Sequence, residues 1–73
     1  MRQVFSEHEL TVLFSLYSYR EFSERTRKAV GLRVINGWTY DFIELDTGVA
    51  AKTTREAIKR LSQAYEIINQ GFN

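Results

Sequence analysis

Residues 47–61, TGVAAKTTREAIKRL, decide how this chain reads. Gly48 is suited to the left-handed backbone conformation that ends a helix. Val49 then supplies an apolar plug for the angle that follows, and Ala50 and Ala51 let two helices approach closely. Thr53 and Thr54 open a second helix, with Thr53 and Glu56 spaced as a capping box. Its inward set is Thr54, Ala57, Ile58, Leu61 and Tyr65, and its outward set is Lys52, Arg55, Glu56, Lys59 and Gln63, which makes an amphipathic helix from Lys52 into the sixties. The tail YEIINQGFN continues as the last turn of that helix or as one short strand.

Upstream, Ser6-Glu7-His8-Glu9 is a capping box, and Phe5 and Leu10 stand where a hydrophobic staple needs them. Leu10, Leu13, Phe14 and Tyr17 follow at helical spacing, while Val12, Leu16 and Tyr19 widen the apolar side. The first helix is expected from Ser6 to Arg20, contacted from two directions. Two readings of the next segment stand side by side. Ser23 caps a helix carrying Ala29, Val30 and Val34 that ends at Asn36-Gly37. Alternatively Asn36-Gly37 is the turn of a hairpin pairing Ile35 with Trp38, Arg33 with Tyr40 and Gly31 with Phe42. The helix is preferred, because Arg33 fits poorly on the aromatic face of that hairpin.

The whole chain, 73 residues with 44% hydrophobic residues, is expected to form a single domain over residues 1–73 with a core that uses most of its large side chains. There is no cysteine, which excludes disulfides and thiolate metal sites and points to a cytoplasmic setting, in a bacterial host cell under the reading that follows. No run of apolar residues is long enough for a membrane span, and no signal-peptide stretch follows Phe5. Net charge is +1, with cations gathered at Arg25, Arg27, Lys28 and Arg33 and again at Lys52, Arg55, Lys59 and Arg60, around an acidic island of Asp41, Glu44 and Asp46. His8 has no second histidine or cysteine to complete a ligand set. No nucleophile with its base, phosphate loop or diagnostic carboxylate pair is present, so neither catalysis, a metal, a cofactor nor a small-molecule substrate is expected.

Residues Tyr40 to Leu61 resemble the helix-turn-helix and winged-helix families, through Thr47, Gly48, Val49, Thr53, Ala57, Ile58, Arg60 and Leu61. The resemblance implies that the second helix lies in a major groove while the first steadies it on the backbone. It implies DNA-facing positions at Ala50, Ala51, Lys52, Arg55, Glu56 and Lys59, with Lys52 and Lys59 on phosphates and Arg55 on guanine. The chain departs from the families at Glu44, where they favour alanine because the two helices touch; a carboxylate there must turn outward or find a base. The ordinary alternative for the same cations is the solvated side of a surface helix.

Arg25, Arg27 and Lys28 are a second candidate patch for nucleic acid or an acidic partner, or else another solvated helix face. Trp38 and Tyr40 suit an interaction hot spot if exposed, but a lone Trp belongs by default in the core.

The expected fold is all-α, a compact three- to four-helix bundle with a helix-turn-helix-like C-terminal half, with room for a short strand or hairpin. Two functions fit it. One is a sequence-specific regulator of duplex DNA acting as a dimer, since a single +2 helix face binds phosphate weakly. The other is a protein-binding regulator, which low net charge, Glu44 and the two alanines at the reading tip favour. A compact chain opening MRQVFSEHEL also resembles small phage-encoded regulators of bacterial RNA polymerase. That resemblance implies polymerase binding, inhibited initiation and antitermination, with Lys52, Thr53, Arg55, Lys59, Arg25, Arg27 and Lys28 as candidate contact residues. Polymerase binding is preferred to operator binding.

Overall fold

The computed structural model describes residues 5–71, with side chains as far as residue 68. Four helices follow one another: α1 (Glu7–Ser15), α2 (Glu24–Val34), α3 (Tyr40–Thr47) and α4 (Ala51–Gly71). No strand occurs among the described residues, so the helical bundle holds and the hairpin over residues 31–42 does not form.

The start of α1 is the capping box read from the sequence. The Ser6 hydroxyl accepts from the Glu9 amide at 3.1 Å, and the Glu9 carboxylate accepts from the Ser6 amide at 2.9 Å. The helix stops at Ser15, well short of Arg20. Its last amides turn back tightly, Leu16 to the Leu13 carbonyl and Tyr17 to the Phe14 carbonyl, both at 3.1 Å. The Arg27 guanidinium then takes the carbonyls of Phe14 and Tyr17 that a continuing helix needs as acceptors. Leu10, Leu13 and Phe14 are buried and α1 packs on both α2 and α4, but Val12, Leu16 and Tyr19, expected to widen its apolar side, are exposed.

Ser23 caps α2, accepting from the Thr26 amide at 3.3 Å. Beyond the helix Gly37 takes a left-handed φ of 71°, its amide bonded to the Arg33 carbonyl at 3.2 Å, and the Trp38 amide bonds to Leu32 at 3.1 Å. Thr39 caps α3. Gly48, with φ of 76°, ends it by donating its amide to the Glu44 carbonyl at 2.8 Å. Buried Thr47 fixes the turn from inside: its hydroxyl donates to the Ile43 carbonyl at 2.7 Å and accepts from the Val49 amide at 3.1 Å.

α4 begins at Ala51, so Thr53 lies inside its first turn and does not form a capping box with Glu56. Thr54 explains the earlier start. It is fully buried, with its amide 3.1 Å and its hydroxyl 3.4 Å from the Ala50 carbonyl. The helix runs on to Gly71 in place of a terminal strand, and residues 72–73 lie outside the described residues.

Phe5, Leu10, Leu13, Phe14, Phe22, Val30, Val34, Ala57 and Leu61 form the larger core, which joins α1, α2 and α4. A smaller cluster of Ala29, Ile43 and Val49, backed by Leu32, seats the α3–α4 turn on α2, which is the plug expected of Val49. Among the described residues no helix is long and apolar enough to cross a membrane.

Candidate partner-binding faces

Lys52, Arg55 and Lys59 lie at spacings of three and four along α4 and all three are exposed, with Thr53 exposed beside them. The inward positions Thr54, Ala57 and Leu61 are buried, so the α4 cations are held outward by packing on the opposite side of the helix. They are not equally free. The Arg55 guanidinium lies 5.2 Å from the centre of the Tyr40 ring, and Arg33 lies over the same ring at 4.4 Å. Arg55 is thereby drawn toward α3, whereas Lys52 and Lys59 project from the helix as long flexible cations.

The three α2 cations line one open depression beside α1, but they are not equally free. Arg25 is exposed. Lys28 forms an ion pair with Asp46 of α3 at 3.1 Å. Arg27 is half-buried and turned toward α1, where it donates to the carbonyls of Phe22 at 2.8 Å, Phe14 at 3.1 Å and Tyr17 at 2.9 Å. Its guanidinium also stacks 4.0 Å from the Tyr19 ring centre. Arg27 therefore leaves the set of partner-binding candidates: a planar fork engaged with three carbonyls is part of the fold's framework. Arg60 is similarly occupied, over the Phe22 ring at 4.7 Å and paired with Glu21 at 3.5 Å.

The α3 helix carries Asp41, Glu44 and Asp46 and no cation. Glu44 is exposed, so the carboxylate that departs from the helix-turn-helix pattern is accommodated by turning outward. Ile43 and Thr47 form the buried side of this helix, and the opposite side bears apolar residues: Phe42 is 62% exposed and Leu45 82% exposed. Trp38, expected in the core, is 39% exposed, and with Phe42 it lines a shallow depression at the start of α3. The core has its aromatics in Phe5, Phe14 and Phe22, while Trp38 stands just before the α3 cap, on the side of Phe42.

This second apolar side is the feature that sequence reading missed. Its signal was present, since Phe42 and Leu45 recur at helical spacing out of phase with Ile43 and Thr47. No known protein family matches the chain, and no curated protein or solved structure does so either.

Proposed function

We propose that this chain is a small regulator of transcription that binds bacterial RNA polymerase, inhibits initiation and suppresses termination. The observation that carries the reading is the charge of α3. In a helix-turn-helix docked on DNA the first helix crosses the phosphate backbone. Here that helix bears three carboxylates and no cation, which opposes such docking, while its exposed aromatic and aliphatic residues suit a protein contact. Lys52, Arg55 and Lys59 then supply charge complementarity to an acidic protein surface, with Arg25 a further exposed cation. Polymerase as the partner, and the effects on initiation and termination, rest on the resemblance to small phage-encoded regulators. The setting is the cytoplasm of the bacterial host.

The test is recovery of tagged protein from bacterial extract with and without nuclease, beside a salt titration of duplex DNA binding. Polymerase subunits retained after nuclease, with no duplex affinity, support the reading. The second reading, a dimeric operator-binding regulator, is favoured by the regular spacing of the α4 cations. Duplex binding that weakens steeply with salt, without polymerase capture, replaces the first reading with the second.

A further inference from the structure

We propose that the outer side of α3, with Trp38, Phe42 and Leu45 between carboxylates, is a docking ridge for a cationic amphipathic helix of a partner protein. Phe42 and Leu45, three apart, share one side of α3, and Trp38, which precedes the Thr39 cap, joins Phe42 in the depression at the start of the helix. Nothing in the fold requires them there, because Ile43 and Thr47 already seat α3 on the bundle. Leu45 is the most exposed large apolar side chain among the described residues, at 82%. A surface of this composition gains from being covered.

The ridge is also held ready. The Trp38 amide donates to the Leu32 carbonyl at 3.1 Å, and the Trp38 carbonyl accepts from the Arg33 guanidinium at 2.9 Å. Both backbone polar groups of Trp38 are thus fixed by α2, so an exposed indole is presented from an immobilised peptide unit. An aromatic anchor presented in this way loses little freedom on binding.

Charge selects the occupant. Asp41 and Glu44 lie to one side of the ridge by the helical phase of α3, and no cation of that helix balances them; Asp46, to the other side, is paired with Lys28 of α2 at 3.1 Å, so the acidic character of the ridge rests on Asp41 and Glu44. An incoming helix that presents apolar residues at i, i+3 or i+4 and i+7, flanked by Lys or Arg, meets both features at once. A second copy of this chain does so poorly, because its cationic side, Lys52, Arg55 and Lys59 of α4, contains no large apolar residue to cover Trp38, Phe42 and Leu45. A phosphate backbone is repelled outright.

The proposal rests on the protein-binding reading only in taking a protein segment as occupant, and it can be tested without polymerase. Trp38 is the one tryptophan of the chain, so its fluorescence reports on the ridge directly. Two synthetic helical peptides with the same leucine spacing serve as probes, one flanked by lysines and the other by glutamates. The lysine peptide is expected to shift Trp38 emission to the blue and to bind about tenfold or more tighter than the glutamate peptide at low salt. Leu45→Lys, at a position too exposed to affect folding, and Phe42→Lys are each expected to weaken the lysine peptide about tenfold or more, with helicity by circular dichroism unchanged. Equal binding of the two peptides, no binding of the lysine peptide, or indifference to both substitutions overturns the proposal. So does concentration-dependent self-association that Leu45→Lys abolishes, which assigns the ridge to a second copy. Peptide binding without polymerase capture by the whole protein upholds the ridge and removes the proposed function; capture unaffected by Leu45→Lys does the reverse.

Discussion

The guanidinium of Arg27 closes the end of a helix thirteen residues earlier in the chain, its Nη1 donating to the Phe14 carbonyl at 3.1 Å. The same group binds the carbonyls of Tyr17 and Phe22, so one side chain supplies donors to the helix end and to both ends of the loop that follows. Its positive charge also sits at the negative end of the α1 dipole. In a chain of this size, total stability is on the order of 4–11 kcal/mol.

Arg27→Ala is therefore expected to destabilise the fold by about 2–4 kcal/mol, because it removes charge-assisted bonds to several carbonyls together. Arg27→Lys is expected to recover little, since an ammonium lacks the planar fork that reaches them simultaneously. Arg25→Ala, at an exposed position on the same helix, is expected to stay within about 0.5 kcal/mol of wild type. Urea denaturation of the three variants decides the matter; equal midpoints for Arg27→Ala and Arg25→Ala contradict the structural role.

The glycines predict changes of opposite sign. Gly48 has a φ of 76°, where a Cβ is strained whatever the space around it, so Gly48→Ala is expected to cost about 1–2 kcal/mol. Gly31 lies inside α2 and a Cβ added there meets nothing within 4 Å. Gly31→Ala is accordingly expected to stabilise by about 0.5–1 kcal/mol. Thermal melts that shift both variants in the same direction are incompatible with this assignment.

What the sequence made legible was local. The Ser6–Glu9 capping box, the Ser23 cap, the left-handed Gly48 and the inward set of α4 each depend on residues within a turn or two of one another. The end of α1 was not legible, because it is set by Arg27 from the next helix. Trp38 was misplaced for a related reason: its exposure follows from three phenylalanines filling the core from elsewhere in the chain. The inward place of Thr54 and a start near Lys52 are legible from the spacing, within one residue of the observed start at Ala51, but the Thr53–Glu56 capping box is not formed, because Thr53 already lies inside the first turn. Of the candidate contact residues, the α4 cations share the side expected from their spacing, whereas in the run Arg25, Arg27, Lys28 the last two are engaged by α1 and α3.

Acid is expected to loosen the contact between α1 and α4. The Ser6 amide, and then the Tyr65 hydroxyl, hold the Glu9 carboxyl below the ordinary glutamate range. A carboxyl depressed in the folded state contributes its full stabilisation above its unfolded pKa and loses it as pH falls through the folded value. The stability gap between wild type and Glu9→Gln should thus be largest near neutral pH and close below about pH 4, the range in which glutamate ordinarily titrates. Chemical denaturation across that range measures it, and a gap independent of pH refutes the linkage.

The α4 cations separate the two functional readings quantitatively. Lys52 and Lys59 are exposed and lie on the side of α4 away from its buried residues, so Lys52→Ala and Lys59→Ala leave the core intact. If these lysines meet phosphates, each loss lowers the slope of log affinity against log salt by about 0.9, and the double variant by about 2. If they meet an acidic protein surface, no duplex affinity exists to lose; reversal to Lys52→Glu and Lys59→Glu slows association and eliminates capture of the partner, most strongly at low salt. The second outcome is expected, because the helix that would have to cross the DNA backbone is α3, which carries the carboxylates. Partner capture by the doubly reversed variant at wild-type strength, at low and high salt alike, removes the α4 cations from the interface.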